Sequence, residues 1–213
     1  MEQIPSRYVM KNIFSVPLLD TLVSQDTDEL KTCDLYTYSE NTKKEVVDSM
    51  ESVRVLDKFP KTKNILLSYF YGIVKSPLKY DGDFDITTSW ITKTNKNESA
   101  QMHNHKNSFF SGVYYFDEYD ENCGGITFEN PLNQLSSYLV TTSDLNDNTI
   151  QYSYDSGMSI IPQSKLLLFF PSYMRHKIEN HDSDKIRYSL AFNIVPVGLY
   201  GNSDSSYQTY WFN

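Results

Sequence analysis

The feature that most limits the fold is His103-Asn104-His105, followed almost at once by Ser108-Phe109-Phe110-Ser111-Gly112-Val113-Tyr114-Tyr115-Phe116. In an extended backbone, side chains two apart share a face, so His103 and His105 aim their imidazoles at one point. The run behind them is aromatic and β-branched and reads as a strand. A third histidine, His176, comes after Pro171 and the most apolar run of the chain, Leu166 to Phe170. A His-x-His pair on one strand and a distant histidine after another is what a small metal site in a β-barrel requires. Three neutral imidazoles suit Fe, Zn, Cu or Ni. His181 lies in the turn Asn180-His181-Asp182-Ser183 and is not expected to be a ligand.

The rest of the pattern is helices first, strands after. Asn12 to Pro17 suits a short edge strand, and residues 20–40 are polar and weakly patterned. Thr42-Lys43-Lys44-Glu45 fits a capping box. Val46, Met50 and Val53 give the helix behind it one apolar face. Pro60 predicts the first turn of a second helix. Leu66, Phe70 and Ile73 would form its apolar face, with Pro77 as its stop. Strands are then expected at Asp85–Thr92, at the His-x-His pair, and at Ser108–Phe116. Four more follow at Gly124–Glu129, Lys165–Phe170, His176–Ile178 and Lys185–Val195. Residues 132–160 form a polar insertion of the length expected of a lid. The fold class this predicts is mainly β with N-terminal helices, around a double-stranded β-helix or jelly roll.

At 213 residues the chain can bury a sizeable core within one domain. A helical support region over 1–80, a β core over 84–195 and an aromatic tail over 196–213 are its expected parts. The tail carries Tyr200, Tyr207, Tyr210, Trp211 and Phe212, which suits docking on its own domain or a homodimer contact. Net charge is −8, which disfavours nucleic acid as a partner. Cys33 and Cys123 are too few for a disulfide framework and read as reduced thiols. No signal-peptide pattern or membrane-length apolar run is visible, so a cytoplasmic location is expected, that of the host if the protein is phage-encoded.

Arg187 and Ser189 are two apart on the strand after His176. An arginine grips a carboxylate with two donors, and a hydroxyl beside it adds a third. The order H-x-H, S-G-V-Y-Y-F, G-G-I-T-F-E-N-P, L-L-L-F-F-P-S-Y-M-R-H, R-Y-S-L-A-F-N resembles the 2-oxoglutarate and Fe(II)-dependent oxygenase superfamily over about residues 84–195. It is most similar to oxygenases of bacteria and marine phages, and more distantly to prolyl 4-hydroxylases. The resemblance implies Fe(II), 2-oxoglutarate and O2 as cofactor and cosubstrates, with ascorbate as a stimulant. His103 and His176 match metal ligands. Arg187, Ser189 and Tyr115 match the residues that hold the far carboxylate of 2-oxoglutarate. His105 stands where the family usually has Asp or Glu, and an Asp there is expected to be tolerated. Two other readings remain open: a three-His, thiol-dioxygenase-like cupin, and a non-catalytic jelly roll such as a virion or carbohydrate-binding module. The substrate class is a small molecule or a protein side chain.

Overall fold

Residues 16–38, 51–131, 157–200 and 203–209 are described by a computed structural model. Their strands are β1 (Leu19–Leu22), β2 (Thr37–Tyr38), β3 (Asp83–Thr94), β4 (Ala100–His103), β5 (Phe110–Tyr114) and β6 (Ile126–Glu129). After these come β7 (Gly157–Ile160), β8 (Leu166–Pro171), β9 (His176–Ile178), β10 (Arg187–Tyr200) and β11 (Tyr207–Thr209). One sheet runs β1-β8-β5-β10-β3-β2, with β11 also paired to β10, and the other runs β4-β9-β6-β7. Every pairing is antiparallel except β2 with β3. This is the jelly roll the sequence predicts.

Two apolar layers hold the larger sheet. β8 is buried along its whole length because both of its faces are covered. Leu167 and Phe169 join the layer beneath the helix, while Leu166, Leu168 and Phe170 pack between the sheets with Val113, Tyr115, Ile126, Phe128 and Met174. β5 divides in the same way, with Phe110 and Tyr114 in the first layer and Val113 in the second. Its Gly112 sits opposite Phe192, and a Cβ there would collide with the Phe192 ring. Gly112→Ala is therefore expected to cost about 1–3 kcal/mol by overpacking. A urea titration should show a lower midpoint at unchanged slope; an unmoved midpoint would mean that Phe192 yields freely.

The helix α1 (Pro60–Tyr69) starts at Pro60 as predicted, then widens into a π-helical segment, Phe70–Lys75, and closes in a short α2 (Ser76–Leu78). Its buried face is Leu66, Phe70 and Val74, not Ile73. Phe70 lies among Phe84, Phe110 and Phe169, with ring centroids 5.2, 5.8 and 5.7 Å away. Pro77 does not stop the helix. It falls inside α2, one residue before the helix ends at Leu78. The chain turns instead at Lys79, which is left-handed at φ 55°.

Other expectations shift. The capping-box helix lies outside the described residues up to position 50. From Glu51 the backbone is turn, and Arg54 bridges to Ser89, so Val53 is not helical. Most of the strand expected at Asn12–Pro17 is likewise outside, and β1 begins only at Leu19. The weakly patterned stretch supplies β1, a 3-10 turn over Asp28–Thr32 and β2. Of the expected lid, residues 132–156 lie outside the described residues, while 157–160 form β7, paired to β6. Of the tail, Tyr207–Thr209 returns as β11 onto β10 of its own chain, while Tyr210, Trp211 and Phe212 lie outside the described residues. Among the described residues no helix is long and apolar enough to cross a membrane.

Candidate active site

β10 organises the site through its period of two. Leu190, Phe192 and Ile194 face the layer under the helix. Arg187, Ser189 and Ala191 line a cavity of about 300 Å³ between the sheets. Asn193 continues their face. Thr94, Thr92, Trp90 and Thr88 of β3 stand opposite these four in register. Val113, Ile126, Phe170 and Ile178 add apolar wall.

The three histidines come together at this cavity. His103 ends β4, His176 opens β9, and the two are register partners. His105 lies just beyond β4, where its backbone N–H donates to the Ser172 carbonyl at 2.9 Å. The ligand atoms of all three lie within 4.8 Å of one another. Ring centroids are 4.4 Å apart for His103 and His176, 5.2 Å for His105 and His176, and 5.4 Å for His103 and His105.

In each ring Nδ1 is engaged and Nε2 is left for a metal. His103 Nδ1 lies 2.7 Å from the Gln101 carbonyl, and His176 Nδ1 lies 3.0 Å from that of Met174. A carbonyl only accepts, so both rings are Nδ1–H tautomers. His105 Nδ1 meets Asn193 Oδ1 at 2.7 Å and Ser111 Oγ at 3.1 Å. Burial lowers the His176 pKa to about 4, and burial also lowers that of His105, so both rings are neutral at pH 7 as metal ligation requires.

Arg187 is 2% exposed. Its guanidinium donates to the Gly124 carbonyl and, at 3.1 Å, to Thr94 Oγ1. Gly124 packs so closely on the carbonyls of Glu179 and Asn180 that a Cβ there would overlap them, which accounts for a glycine at this point of G-G-I-T-F-E. Arg187 Nε has no partner, and neither has the buried Tyr115 hydroxyl. Burial pushes the Tyr115 hydroxyl up to about 12, so it stays a donor, and burial pushes Arg187 down. Among the described residues no carboxylate pairs with Arg187. A buried cation without a counter-charge costs several kcal/mol, which an incoming anion offsets. The donors present therefore fit both a metal ion and a small dicarboxylate.

All six sequence-predicted residues fall in this region, with one difference of position. Ser189 lines the cavity, whereas Tyr115 stands behind the wall with Tyr119 packed on its ring at 5.4 Å. His181 is buried and donates from Nε2 to the Lys185 carbonyl at 2.7 Å, away from the cluster. Asn193, Thr94 and Trp90 were missed. The period that marks Arg187 and Ser189 reaches Asn193 if carried two steps further along R-Y-S-L-A-F-N.

The family model described as "Putative 2OG-Fe(II) oxygenase" matches residues 88–193, which hold every residue named above as lining or serving the site. These residues are a 2OG-Fe(II) oxygenase domain. Among solved structures, HygX from Streptomyces hygroscopicus with iron bound aligns at TM-score 0.51 and 10% identity, over 85% of this chain and 82% of that one. HygX with nickel and 2-oxoglutarate bound aligns over the same shares at TM-score 0.49 and 10% identity. A 2OG-Fe(II) oxygenase-family oxidoreductase from Burkholderia pseudomallei aligns at TM-score 0.42 and 12% identity, over 56% of this chain and 48% of that one. At 10% identity the alignment with iron-bound HygX speaks for the fold alone. No curated protein matches the sequence. The oxygenase domain uses Fe(II) and 2-oxoglutarate, as its family does, and the family match sets aside a non-catalytic jelly roll.

Proposed function

We propose that the oxygenase holds iron with His103, His105 and His176, takes the far carboxylate of 2-oxoglutarate at Arg187 and Ser189 with the Tyr115 hydroxyl in support from behind the wall, and hydroxylates a small molecule or a protein side chain. One observation carries the reading: a single cavity has three imidazoles with free Nε2 atoms converging and, in its wall, a buried guanidinium without a counter-ion. When bound, iron with 2-oxoglutarate and O2 supplies the oxidising power, and succinate and CO2 leave.

The residues of the chain bind, orient and exclude water. Gly124 and Thr94 each accept one N–H of Arg187 and fix the plane of its guanidinium, which leaves three N–H groups, the unpartnered Nε among them, for an anion. The Tyr115 hydroxyl keeps its proton at neutral pH, and Ser189 adds a hydroxyl on the cavity side. Phe170, Val113 and Ile126 keep the interior dry and strengthen each polar contact inside it. Three neutral imidazoles leave the metal its full charge of two. The site with dianionic 2-oxoglutarate is then formally neutral, one charge more positive than with a carboxylate ligand, which favours retention of the anion.

The test is succinate formation from labelled 2-oxoglutarate by the Fe(II)-loaded chain, with ascorbate to keep the metal reduced. Succinate that depends on Fe(II) and O2 is expected. The His105 ligand favours one other reading, a thiol dioxygenase in which Arg187 anchors the carboxylate of a thiol substrate. Oxidation of a small thiol acid without loss of 2-oxoglutarate would replace the proposal with that one.

A further inference from the structure

A carboxylate ligand has lone pairs on both oxygens and meets a metal in any orientation. An imidazole has one lone pair, and its proton must be parked on the other nitrogen. His103 and His176 park theirs on backbone carbonyls two residues upstream. His105 relies on a side chain, Asn193, 88 residues away in sequence. The Asn193 amide is oriented by its other contacts. Nδ2 donates to Thr88 Oγ1 at 3.0 Å, which turns Oδ1 toward His105 at 2.7 Å and toward the Ser111 hydroxyl at 3.0 Å. Ser111 is itself held by Ser172 at 2.8 Å, and both serines are buried. The pairing of β10 with β3 shifts register just past Asn193, where β3 carries one extra residue, Thr87, beside Thr88.

We infer that Asn193, fixed by Thr88 and Ser111, is a positioning residue that keeps His105 in its Nδ1–H tautomer and so frees His105 Nε2 for the metal. The inference rests on the three-histidine reading above. It has a definite rival: with the amide reversed, Asn193 would donate to Nδ1, His105 would carry its proton on Nε2, and the ring could not ligate. It also adds a condition to the expectation that His105→Asp is tolerated. A carboxylate there would need the Asn193 amide reversed, with Nδ2 donating to it and Oδ1 turned to the Thr88 hydroxyl.

The experiment uses the full chain labelled with 15N-histidine, first free of metal, with ring nitrogens read by long-range 1H–15N correlation and His105 assigned by loss of its signals in His105→Gln. The parent should show His105 protonated at Nδ1. Asn193→Leu should shift it toward Nε2–H and raise the Co(II) dissociation constant about 10–100-fold. Asn193→Asp keeps an acceptor at the same place and should preserve both the tautomer and Co(II) affinity within a few-fold. A merely structural role would weaken both variants alike and leave the tautomer unmoved, which overturns the inference. So does an Nε2–H signal in the parent, or parent-like Co(II) binding by Asn193→Leu. His103→Ala is the separate check on the metal-site reading. If it binds Co(II) as tightly as the parent, that reading fails by itself, whatever the tautomer shows.

Discussion

His176→Ala is expected to lose more than about 100-fold in Fe(II) affinity and, with it, succinate formation. Changing an outer partner of a metal-bound histidine typically costs 10–100-fold, and removing a ligand outright costs more. Of the three, His176 is the buried one. It is 4% exposed, with Phe170 and Phe128 rings at 4.9 and 6.0 Å, so water cannot readily take its place. Those contacts also mean that alanine leaves a hole, and some stability should be lost with the metal site. His176→Gln fills more of that space and separates the two effects. It should fold like the parent by circular dichroism and still bind Fe(II) weakly. His103→Ala and His105→Ala should match His176→Ala in metal affinity. If His105→Ala binds iron like the parent while His103→Ala does not, His105 is a bystander and the site has two protein ligands.

What the sequence made legible was the period-two face. His-x-His and Arg-x-Ser were readable because each pair needs only an extended backbone to share a direction. The third histidine was readable because it follows the one run apolar enough to be covered on both sides. The parts that stayed hidden depend on tertiary partners. Leu19–Leu22 has alternating half-buried and exposed residues and, among the described residues, pairs with β8 alone, so composition marks it weakly. β7 has two exposed residues of four and joins the sheet through β6, which is why it read as part of a polar insertion. The π-helical segment changes which residue faces inward, and a fixed 3.6 spacing picks Ile73 where Val74 is buried. Thr94 and Asn193 act only through register, Thr94 against Arg187 and Asn193 against Thr88. Pairing of that kind is decided by the fold, and neither residue carries a signature of its own.

Arg187→Lys is expected to raise the 2-oxoglutarate dissociation constant at least tenfold, about 1.4 kcal/mol, with the fold intact. Arginine serves three directions at once here. One N–H of each terminal nitrogen is taken, by Gly124 and Thr94, and three remain, the unpartnered Nε–H among them. Lysine carries the same charge on one rotatable point and cannot hold two protein acceptors and an anion in fixed directions. Arg187→Met removes the charge as well and should weaken binding further, since a hydrogen bond to a charged group contributes about 1.5–3 kcal/mol. The methionine variant also decides whether the arginine is there for binding or for stability. Without ligand, loss of a buried cation that lacks a carboxylate partner is neutral to stabilising, set against two acceptors left unpaired. The ligand-free melting temperature should therefore change little. The upward shift of that temperature on adding 2-oxoglutarate, which follows from mass action on the folded state, should shrink or vanish. Calorimetry on the Co(II)-loaded proteins gives the constants directly. Equal 2-oxoglutarate affinity in parent, lysine and methionine variants, with a large fall in ligand-free stability, would make Arg187 a structural tie between β10 and Gly124 and leave the far carboxylate without its anchor.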